Sequence, residues 1–370
     1  MHDPATVASF DVETFFSRDV QAFTKALANL DRRIPAGQIP QDDINLEDLT
    51  TAFHQSRDAC EAAEVAIGDN PVLLAEVRKR FRDEIAPWFD RSWFMQRAKV
   101  KPRGYPGDYE MLTAIYDGKA KSTGIGGYLD LYFLRTELAR AVCTRLSAIQ
   151  KFLVKEVLNR ATKVSILNVA SGPGREYSSG FQTSEPVQLT CVDTDEKALE
   201  FLKAHVDPST QDSLDVNCVC YNALKMASAK SNIEKFGKPD IIYSVGLCDY
   251  IPDRYLIRIL QGWAESVDEN GIVYVAFKDC LKYYPAEYQW HVDWHFYERT
   301  EEDCWKLFKD AGYATEEMEM TRDETGIIMN FVARQKAIPH RRFDAAEKLR
   351  GPHMRPQAKE VVRELESEME

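Results

Sequence analysis

Apolar residues recur at steps of three and four through the first 160 residues, which is the spacing of amphipathic helices. Residues 20–30 carry one such stripe. Asn70 is followed by a proline at the first helical position, and this pair predicts a helix over residues 72–85. The same spacing predicts one long helix over residues 128–158. We therefore expect residues 1–160 to form a helical N-terminal domain.

The pattern changes at Val164, where short apolar runs begin to alternate with helical segments. Such alternation is typical of an α/β domain with a parallel sheet. We expect this domain to span residues 161–336 and to be followed by a polar tail over 337–370, which is either partly helical or frayed. The predicted strands are 164–169, 187–193, 216–221, 240–245, 272–277, 316–320 and 327–333, and the helices between them are 195–204, 227–236 and 253–266.

The first of these strands, Val164–Val169, leads into a turn that contains Gly172 and Gly174. A buried strand that enters a glycine turn presents backbone amides to a nucleotide-like ligand beyond the end of the strand. Asp193 ends the next predicted strand, where a carboxylate can accept both ribose hydroxyls. This segment therefore predicts a ligand that contains a ribose.

The spacing of the turn argues against a dinucleotide. A dinucleotide site needs a third small residue for close helix–strand packing, and this sequence has Tyr177 or Arg175 there, depending on the alignment. Either side chain would block that packing. The predicted ligand is therefore a nucleoside without a pyrophosphate.

The stretch resembles motif I of the class I S-adenosylmethionine-dependent methyltransferases, in which an apolar strand and an acidic residue precede G-x-G-x-G. Asn168 stands in the acidic position and Ala170 at the first glycine. The resemblance implies a Rossmann-like sheet of seven strands, five parallel and then an antiparallel hairpin, with S-adenosyl-L-methionine as cofactor. A nicotinamide dehydrogenase would keep its sheet parallel, so the turn at residues 323–326 discriminates between the two. Because two motif positions depart from the pattern, a non-catalytic cofactor-binding module remains an alternative.

The strand ends supply the expected cofactor contacts. The backbone near Gly172 would contact the methionine part, and Asp193 the ribose. The place where this fold offers an acceptor to the adenine amino group falls just after the third strand, and the transferring methyl group would lie above the end of the fourth. The cofactor-binding residues expected at these strand ends are Ala170, Ser171, Gly172, Asp193, Asn222, Ala223, Val245 and Gly246.

A rigid turn interrupts the N-terminal helices. Residues 101–110 read K-P-R-G-Y-P-G-D-Y-E, and the segment from Tyr105 to Asp108 predicts a type II turn with positive φ at Gly107. The two tyrosines and Arg103 exceed what such a turn requires, which indicates a lid that contacts ligand; an ordinary interhelix turn is the alternative.

The same region carries a narrower resemblance. Residues 101–112, Ile115-Tyr116, the glycine loop at 122–127 and residues 138–142 are similar to the segment that precedes the methyltransferase domain in the bacterial 3-hydroxypalmitic acid methyl ester biosynthesis family. The resemblance implies a carboxylate, fatty-acid-like substrate. It also implies that Arg103 or Tyr105 closes over the cofactor carboxylate.

Candidate catalytic residues lie after the fourth and fifth strands: Tyr250, His291 and His295. A helix would place the two histidines on one face, but two histidines without a placed third ligand do not predict a metal site. A carboxylate acceptor would need only an orienting cation, for which Arg103 or Arg299 is available. An amine or hydroxyl of a specialised metabolite would need a base, for which either histidine is suitable. The sequence leaves both chemistries open.

Composition narrows the class of partner. The formal net charge of -12 argues against a nucleic-acid partner, because phosphate contacts require clustered Lys and Arg. The eight cysteines form no C-x-x-C pair, no signal peptide precedes the first helix, and no apolar run reaches the length of a membrane span. We therefore expect a cytoplasmic enzyme with a small-molecule substrate. The sequence leaves the oligomeric state open, a homodimer included.

Overall fold

A computed structural model describes residues 10–160, 163–178, 181, 186–206 and 214–334 of the 370-residue chain. The tail predicted over 337–370 lies outside the described residues. Seven strands form a single sheet in the order β3-β2-β1-β4-β5-β7-β6. Their bounds are β1 Val164–Val169, β2 Val187–Asp193, β3 Leu214–Cys220, β4 Ile241–Ser244, β5 Ile272–Lys278, β6 Glu319–Arg322 and β7 Ile328–Arg334.

Strand β7 runs antiparallel to both of its neighbours, β5 and β6, whereas β1 to β5 pair in parallel. This confirms the predicted seven-stranded, Rossmann-like sheet of the class I methyltransferase fold. The reversal depends on the turn between β6 and β7. There the Asp323 carboxylate accepts the Ile328 amide at 3.0 Å and the Thr325 hydroxyl at 2.8 Å, and Gly326 takes φ +75°.

Eight α-helices precede β1 in the described part of the chain, and helices also cover both faces of the sheet. One π-helical turn, Phe16–Val20, joins the first two. The helices are α1 Val12–Phe15, α2 Gln21–Arg33, α3 Ile44–Ile67, α4 Pro71–Phe89, α5 Trp93–Val100, α6 Tyr109–Asp117, α7 Gly124–Arg135, α8 Glu137–Leu158, α9 Glu196–His205, α10 Ala229–Phe236, α11 Asp253–Ser266, α12 Pro285–His291 and α13 Glu301–Asp310.

The single helix predicted over residues 128–158 is wrong, because two helices, α7 and α8, occupy this segment. Thr136 breaks the run with an extended conformation, φ -60° and ψ 154°, and its side chain caps α8 by accepting the Ala139 amide. The cap predicted at Asn70 is confirmed, since its side chain accepts the Leu73 amide at 3.1 Å. Helix α4 then continues four residues beyond the predicted end, to Phe89.

The N-terminal helices and one face of the sheet share a continuous apolar core. Ile166, Leu189 and Tyr274 belong to the same buried cluster as Phe53 and Trp290. The opposite face of the sheet packs mainly against α11 and α13. This arrangement places the helices, including α12 from the insertion after β5, beside the carboxyl ends of the strands. In the part of the chain that the structure describes, no helix combines the length and apolar character needed to cross a bilayer.

Candidate functional site

A cavity of about 1690 Å³ opens where the carboxyl ends of β1, β2 and β4 meet the N-terminal helices. Pockets for a single small molecule usually measure about 300–1,000 Å³, so this one has room for two ligands side by side. Its wall is formed by the strand ends, the segment 101–110, helices α6 and α8 and the insertion after β5. Lining residues include Tyr105, Leu112, Arg145, Ala170, Gly172, Asp193, Gly246, Tyr250, Trp294 and His295.

The turn after β1 contains three left-handed residues, Ala170, Gly172 and Gly174, with φ of +58°, +52° and +57°. A side chain at Gly174 would come within 2.4 Å of Leu202, so the turn can close onto α9 only with glycine there. At Gly172 an added carbon would meet little, with Leu112 at 3.6 Å, and the backbone is open to the cavity. This is a cradle in which a ligand can contact bare peptide groups.

Asp193, at the end of β2, holds this turn in place. One carboxylate oxygen accepts the Gly172 amide at 2.9 Å and the other accepts the Asp195 amide at 3.0 Å. Burial raises the pKa of Asp193, and the amide donors oppose that rise. The carboxylate lines the cavity, where its remaining lone pairs can accept further donors.

An acidic side chain that the sequence analysis missed lies beneath the turn. Glu176 is buried, and its carboxyl accepts the Asn168 amide nitrogen at 3.1 Å and the Tyr243 hydroxyl at 2.6 Å. The resemblance to motif I places an acid at position 168, but here the neutral Asn168 is paired with an acid eight residues later. The sequence did contain a signal for this side chain, because Glu176 is a charged residue very close to the predicted glycine turn.

The segment 101–110 lies over the cavity and is tied to both halves of the structure. Lys101 contacts the Asp293 carboxylate at 2.7 Å, and the Arg103 Nε lies 3.5 Å from Asp195. Tyr105 lines the cavity; burial, followed by the nearby charges of Asp193 and Asp195, raises its pKa. Arg103 is not among the lining residues and faces Asp195 and Glu110 at the rim.

The type II turn predicted with positive φ at Gly107 is wrong. Gly104 takes the positive φ, +86°, and its amide donates to the Lys101 carbonyl at 2.8 Å. Gly107 has a different role, since an added carbon there would lie 3.1 Å from the Trp294 ring and 3.2 Å from the Tyr250 hydroxyl. Close packing of the lid, rather than backbone conformation, favours glycine at 107.

The remaining predicted cofactor residues divide into two groups. Gly246 lines the cavity after β4, together with Ala170. Ser171 is buried in the turn after β1 and is not part of the cavity wall, and its hydroxyl oxygen has no hydrogen-bond partner in the described part of the chain. The second group, Asn222, Ala223 and Val245, lies at the same edge of the sheet but is not part of the cavity wall. The Asn222 side chain accepts the Leu224 amide at 2.9 Å and caps the 3₁₀ turn Ala223–Ala227.

The two candidate histidines are separated, because α12 ends at His291 and the backbone reverses at Asp293, φ +56°. His291 lies in the aromatic core, where four phenylalanines surround it: Phe23, Phe53, Phe81 and Phe89. Its ring nitrogens meet the Ser56 hydroxyl at 3.2 Å and the Glu287 carbonyl at 2.8 Å. The expectation of one shared helical face is therefore wrong, and His291 does not line the cavity.

His295 does line the cavity, and its Nε2 lies 3.1 Å from the Asp293 carboxylate. Burial lowers the pKa of His295, although Asp293 opposes that shift. Burial also disfavours ionisation of Asp293, but the hydrogen bond from His295 and the charges of Arg82 and Lys101 outweigh it and hold the Asp293 pKa below its ordinary value. A neutral imidazole oriented by a carboxylate can accept a proton.

Tyr250 contacts the cavity beside a buried ion pair. Its hydroxyl accepts the Trp294 ring N–H at 2.8 Å, and burial raises its pKa, so that the phenol stays protonated at neutral pH. Lys278 and Asp249 pair at 2.5 Å behind it. Arg299 is also held, since its guanidinium donates to the Cys248 and Ile251 carbonyls and to Asp253. Arg299 therefore fixes the loop after β4.

No protein-family model and no curated protein matches the chain. Among solved structures, a possible exported protein from Bordetella parapertussis is similar over 90% of this chain and 100% of its own, with 13% identity and a TM-score of 0.50. Magnesium protoporphyrin IX methyltransferase from Synechocystis, with bound S-adenosylhomocysteine, matches 54% of this chain and 87% of its own (12% identity, TM-score 0.39). The Burkholderia thailandensis 1,6-didemethyltoxoflavin N1-methyltransferase matches 52% and 78% (17% identity, TM-score 0.36). At 13% identity the likeness to the Bordetella protein is one of fold.

Proposed function

We propose that the chain is an S-adenosylmethionine-dependent methyltransferase that acts on a small molecule, with a carboxylate as the leading methyl acceptor. One observation carries the proposal: a single large cavity joins the glycine turn of β1 and the Asp193 carboxylate of β2 to a lid from the N-terminal helices. The first two features suit a ribose-bearing ligand, and the lid can exclude water from a displacement reaction.

The residues present fit an adenosyl ligand. Asp193 offers lone pairs to ribose hydroxyls, while Gly172 leaves backbone open to the cavity. S-adenosylmethionine, when bound, would supply a methyl group on a sulfonium: an acceptor would attack the methyl carbon in line with the C–S bond, which breaks to release S-adenosylhomocysteine as a neutral thioether.

For a carboxylate acceptor the chain has only to orient an anion and exclude water. Such an acceptor is already ionised at neutral pH and transfers no proton. Apolar side chains from α6 and α8, Leu112, Leu138 and Val142 among them, line the same cavity and suit an acceptor with an apolar body.

A second acceptor class is favoured by a specific observation. His295, hydrogen-bonded to Asp293, lies at the cavity wall with its pKa lowered by burial. An amine or hydroxyl acceptor would give its proton to this imidazole as the bond to carbon forms. Under this alternative, Asp293 orients the ring and stabilises the imidazolium that results.

Calorimetric titration tests the cofactor. S-adenosylhomocysteine should bind and NAD should not, because the turn lacks the packing that a pyrophosphate site needs. Asp193→Ala should lose about 1–3 kcal/mol of binding free energy as the ribose hydrogen bonds and the support of Gly172 disappear. Asp215→Ala, which removes an exposed carboxylate on the edge strand β3, is the matched control and should bind normally. Binding of NAD in preference would overturn the proposal.

A panel of carboxylic acids, amines and alcohols tests catalysis, with S-adenosylhomocysteine formation as the readout. Turnover with an acid that survives His295→Gln supports the carboxylate assignment. Turnover with an amine or alcohol that falls by about 10²–10⁴ in His295→Gln supports the base. His205→Gln removes an exposed histidine on α9 and is the control. Cofactor binding without turnover on any of the panel would favour the non-catalytic module.

A further inference from the structure

Arg145 stands apart from the other cations of the cavity wall. It lies on α8, 5% of its surface is exposed, and it lines the cavity. Within the residues that the structure describes, its Nε has no hydrogen-bond partner and its guanidinium forms no ion pair with a carboxylate. By contrast, Lys101, Lys278 and Arg299 each face a carboxylate.

A buried guanidinium without a directly paired carboxylate is costly, because its charge has left water and is offset at longer range by groups such as the buried Glu176. Such a group is retained where an anionic ligand completes it, and a guanidinium matches a carboxylate in a two-point hydrogen-bonded pair. We infer that Arg145 binds a ligand carboxylate in the cavity. The inference rests on the proposed function for the identity of the ligands, and it deepens that function by assigning the anion site.

The surroundings of Arg145 support the assignment. Its terminal nitrogens pack on Gly246, 3.6 and 3.7 Å from where a side-chain carbon would stand, and thus lie at the carboxyl end of β4. The Tyr116 hydroxyl adjoins the guanidinium; burial raises the Tyr116 pKa, and Arg145 opposes that rise.

Two ligands can supply the carboxylate. Strand β1 lies between β2 and β4, so Gly246 is two strand spacings, about 10 Å, from Asp193. The amino-acid end of the cofactor can extend toward this position, and so can the acid group of a substrate that enters along the apolar wall of α6 and α8. The shared chemistry is a carboxylate bound by Arg145, and binding measurements separate the sources.

The experiment compares wild type, Arg145→Met and Arg140→Met by calorimetry. Arg140 is an exposed residue of the same helix and supplies the control. The probes are S-adenosylhomocysteine; 5′-methylthioadenosine, which lacks the amino-acid end; decanoate; and decanol, its uncharged counterpart. We expect Arg145→Met to bind 5′-methylthioadenosine normally and to bind at least one of the two carboxylate probes about tenfold or more weakly.

The pattern of loss identifies the source. Weakened S-adenosylhomocysteine with unchanged decanoate assigns Arg145 to the cofactor, and the reverse assigns it to a substrate. Wild-type affinity of Arg145→Met for both probes overturns the inference, as does an equal loss of 5′-methylthioadenosine, which would indicate a structural role. If the wild-type protein binds neither adenosyl probe, the proposed function is overturned instead. The comparison of decanoate with decanol then tests Arg145 alone, and a wild-type protein that shows no preference for decanoate overturns the inference.

Thermal unfolding gives an independent readout. If Arg145 serves to bind an anion, Arg145→Met removes a buried charge that no carboxylate pairs directly, and the ligand-free protein should unfold at the same or a higher temperature. A structural arginine would show the opposite result, a marked fall in the unfolding temperature. Arg145→Lys keeps the charge but loses the planar fork, so it should recover part of the carboxylate affinity.

Discussion

Ala170 occupies the left-handed region of backbone conformation at the point where β1 meets the cavity, with φ +58°. The side-chain carbon of an L-residue crowds the following carbonyl there, at a cost of about 1–2 kcal/mol. The Ser171 amide donates to the Val192 carbonyl at 3.0 Å, and Asp193 anchors Gly172, so the neighbours of Ala170 fix the strained conformation. Such strain is common at ligand-binding turns.

Ala170→Gly should therefore raise the free energy of unfolding by about 0.5–1 kcal/mol, since relief of strain exceeds the entropy cost of the glycine. Ala62→Gly, in the exposed middle of α3, should lower it by about 1 kcal/mol. Chemical denaturation of both variants measures the two changes in the free energy of unfolding. Equal destabilisation by the two substitutions would mean that residue 170 carries no strain.

His291 should make stability depend on pH. Burial lowers its pKa from 6.5 to about 4, so the native state stays unprotonated while the unfolded state takes up a proton as the pH falls below 6.5. Stability is therefore full above pH 6.5 and is lost between pH 6.5 and 4, by about 3 kcal/mol.

The measurement is the difference in unfolding free energy between wild type and His291→Gln across this pH range, which cancels the contribution of other groups. The difference should shrink as the pH falls. His54→Gln, on the exposed side of α3, should show no such trend. A difference that is constant from pH 7 to 4 would contradict the account of His291 as a neutral core residue.

Residue roles were predictable from sequence where position along a strand decides them. Asp193 could be placed beside the glycine turn because it ends the strand that follows β1, and its contact with a ribose stays a prediction; its hydrogen bond to the Gly172 amide was not predicted. Arg145 was missed, although a signal was present: it falls on the apolar stripe of α8 with Val142 and Ile149, where a charge is unusual. His291 was misassigned because four-residue spacing indicates a shared face only if the helix continues, and here the helix ends at His291 itself.

At the scale of elements, local pattern predicted most boundaries. The bounds of β1, β2 and α11 agree with the predicted ones, since each is an uninterrupted periodic run. The break at Thr136 was missed because the apolar spacing continues through it. Ligand contact by the segment 101–110 stays a prediction. The conformation of this segment was not predicted, because the close contact of Gly107 with Trp294 joins residues far apart in sequence.

Gly107→Ala tests the seating of the lid. The new methyl group would lie 3.1 Å from the Trp294 ring, closer than ordinary contact, so the lid should shift outward. We expect a loss of about 1 kcal/mol in unfolding free energy and a several-fold weaker affinity for S-adenosylhomocysteine. Gly37→Ala, which meets nothing within 4 Å and has an ordinary φ, is the control. Unchanged affinity in Gly107→Ala would show that the lid does not contribute to cofactor binding.

At the scale of the whole molecule, the N-terminal helices and the sheet form one packed structure, because both contribute residues to the cavity wall and to one apolar core. The contact of Ser56 with His291, 235 residues apart, links α3 to the insertion after β5. The resemblance to class I methyltransferases allowed the five parallel strands and the antiparallel hairpin to be predicted, but not the order of the strands in the sheet. It did not reveal which helical side chains face the cavity, because that depends on packing between distant segments.

A crystal structure of the protein with S-adenosylhomocysteine would show directly whether the glycine turn and Asp193 hold an adenosyl ligand. The ribose hydroxyls should lie within about 3 Å of the Asp193 carboxylate, with the amino-acid end against the backbone of Ala170–Gly172 and the lid above. A well-diffracting complex in which the ligand binds elsewhere, or in which Asp193 points away from an empty cavity, would contradict the account.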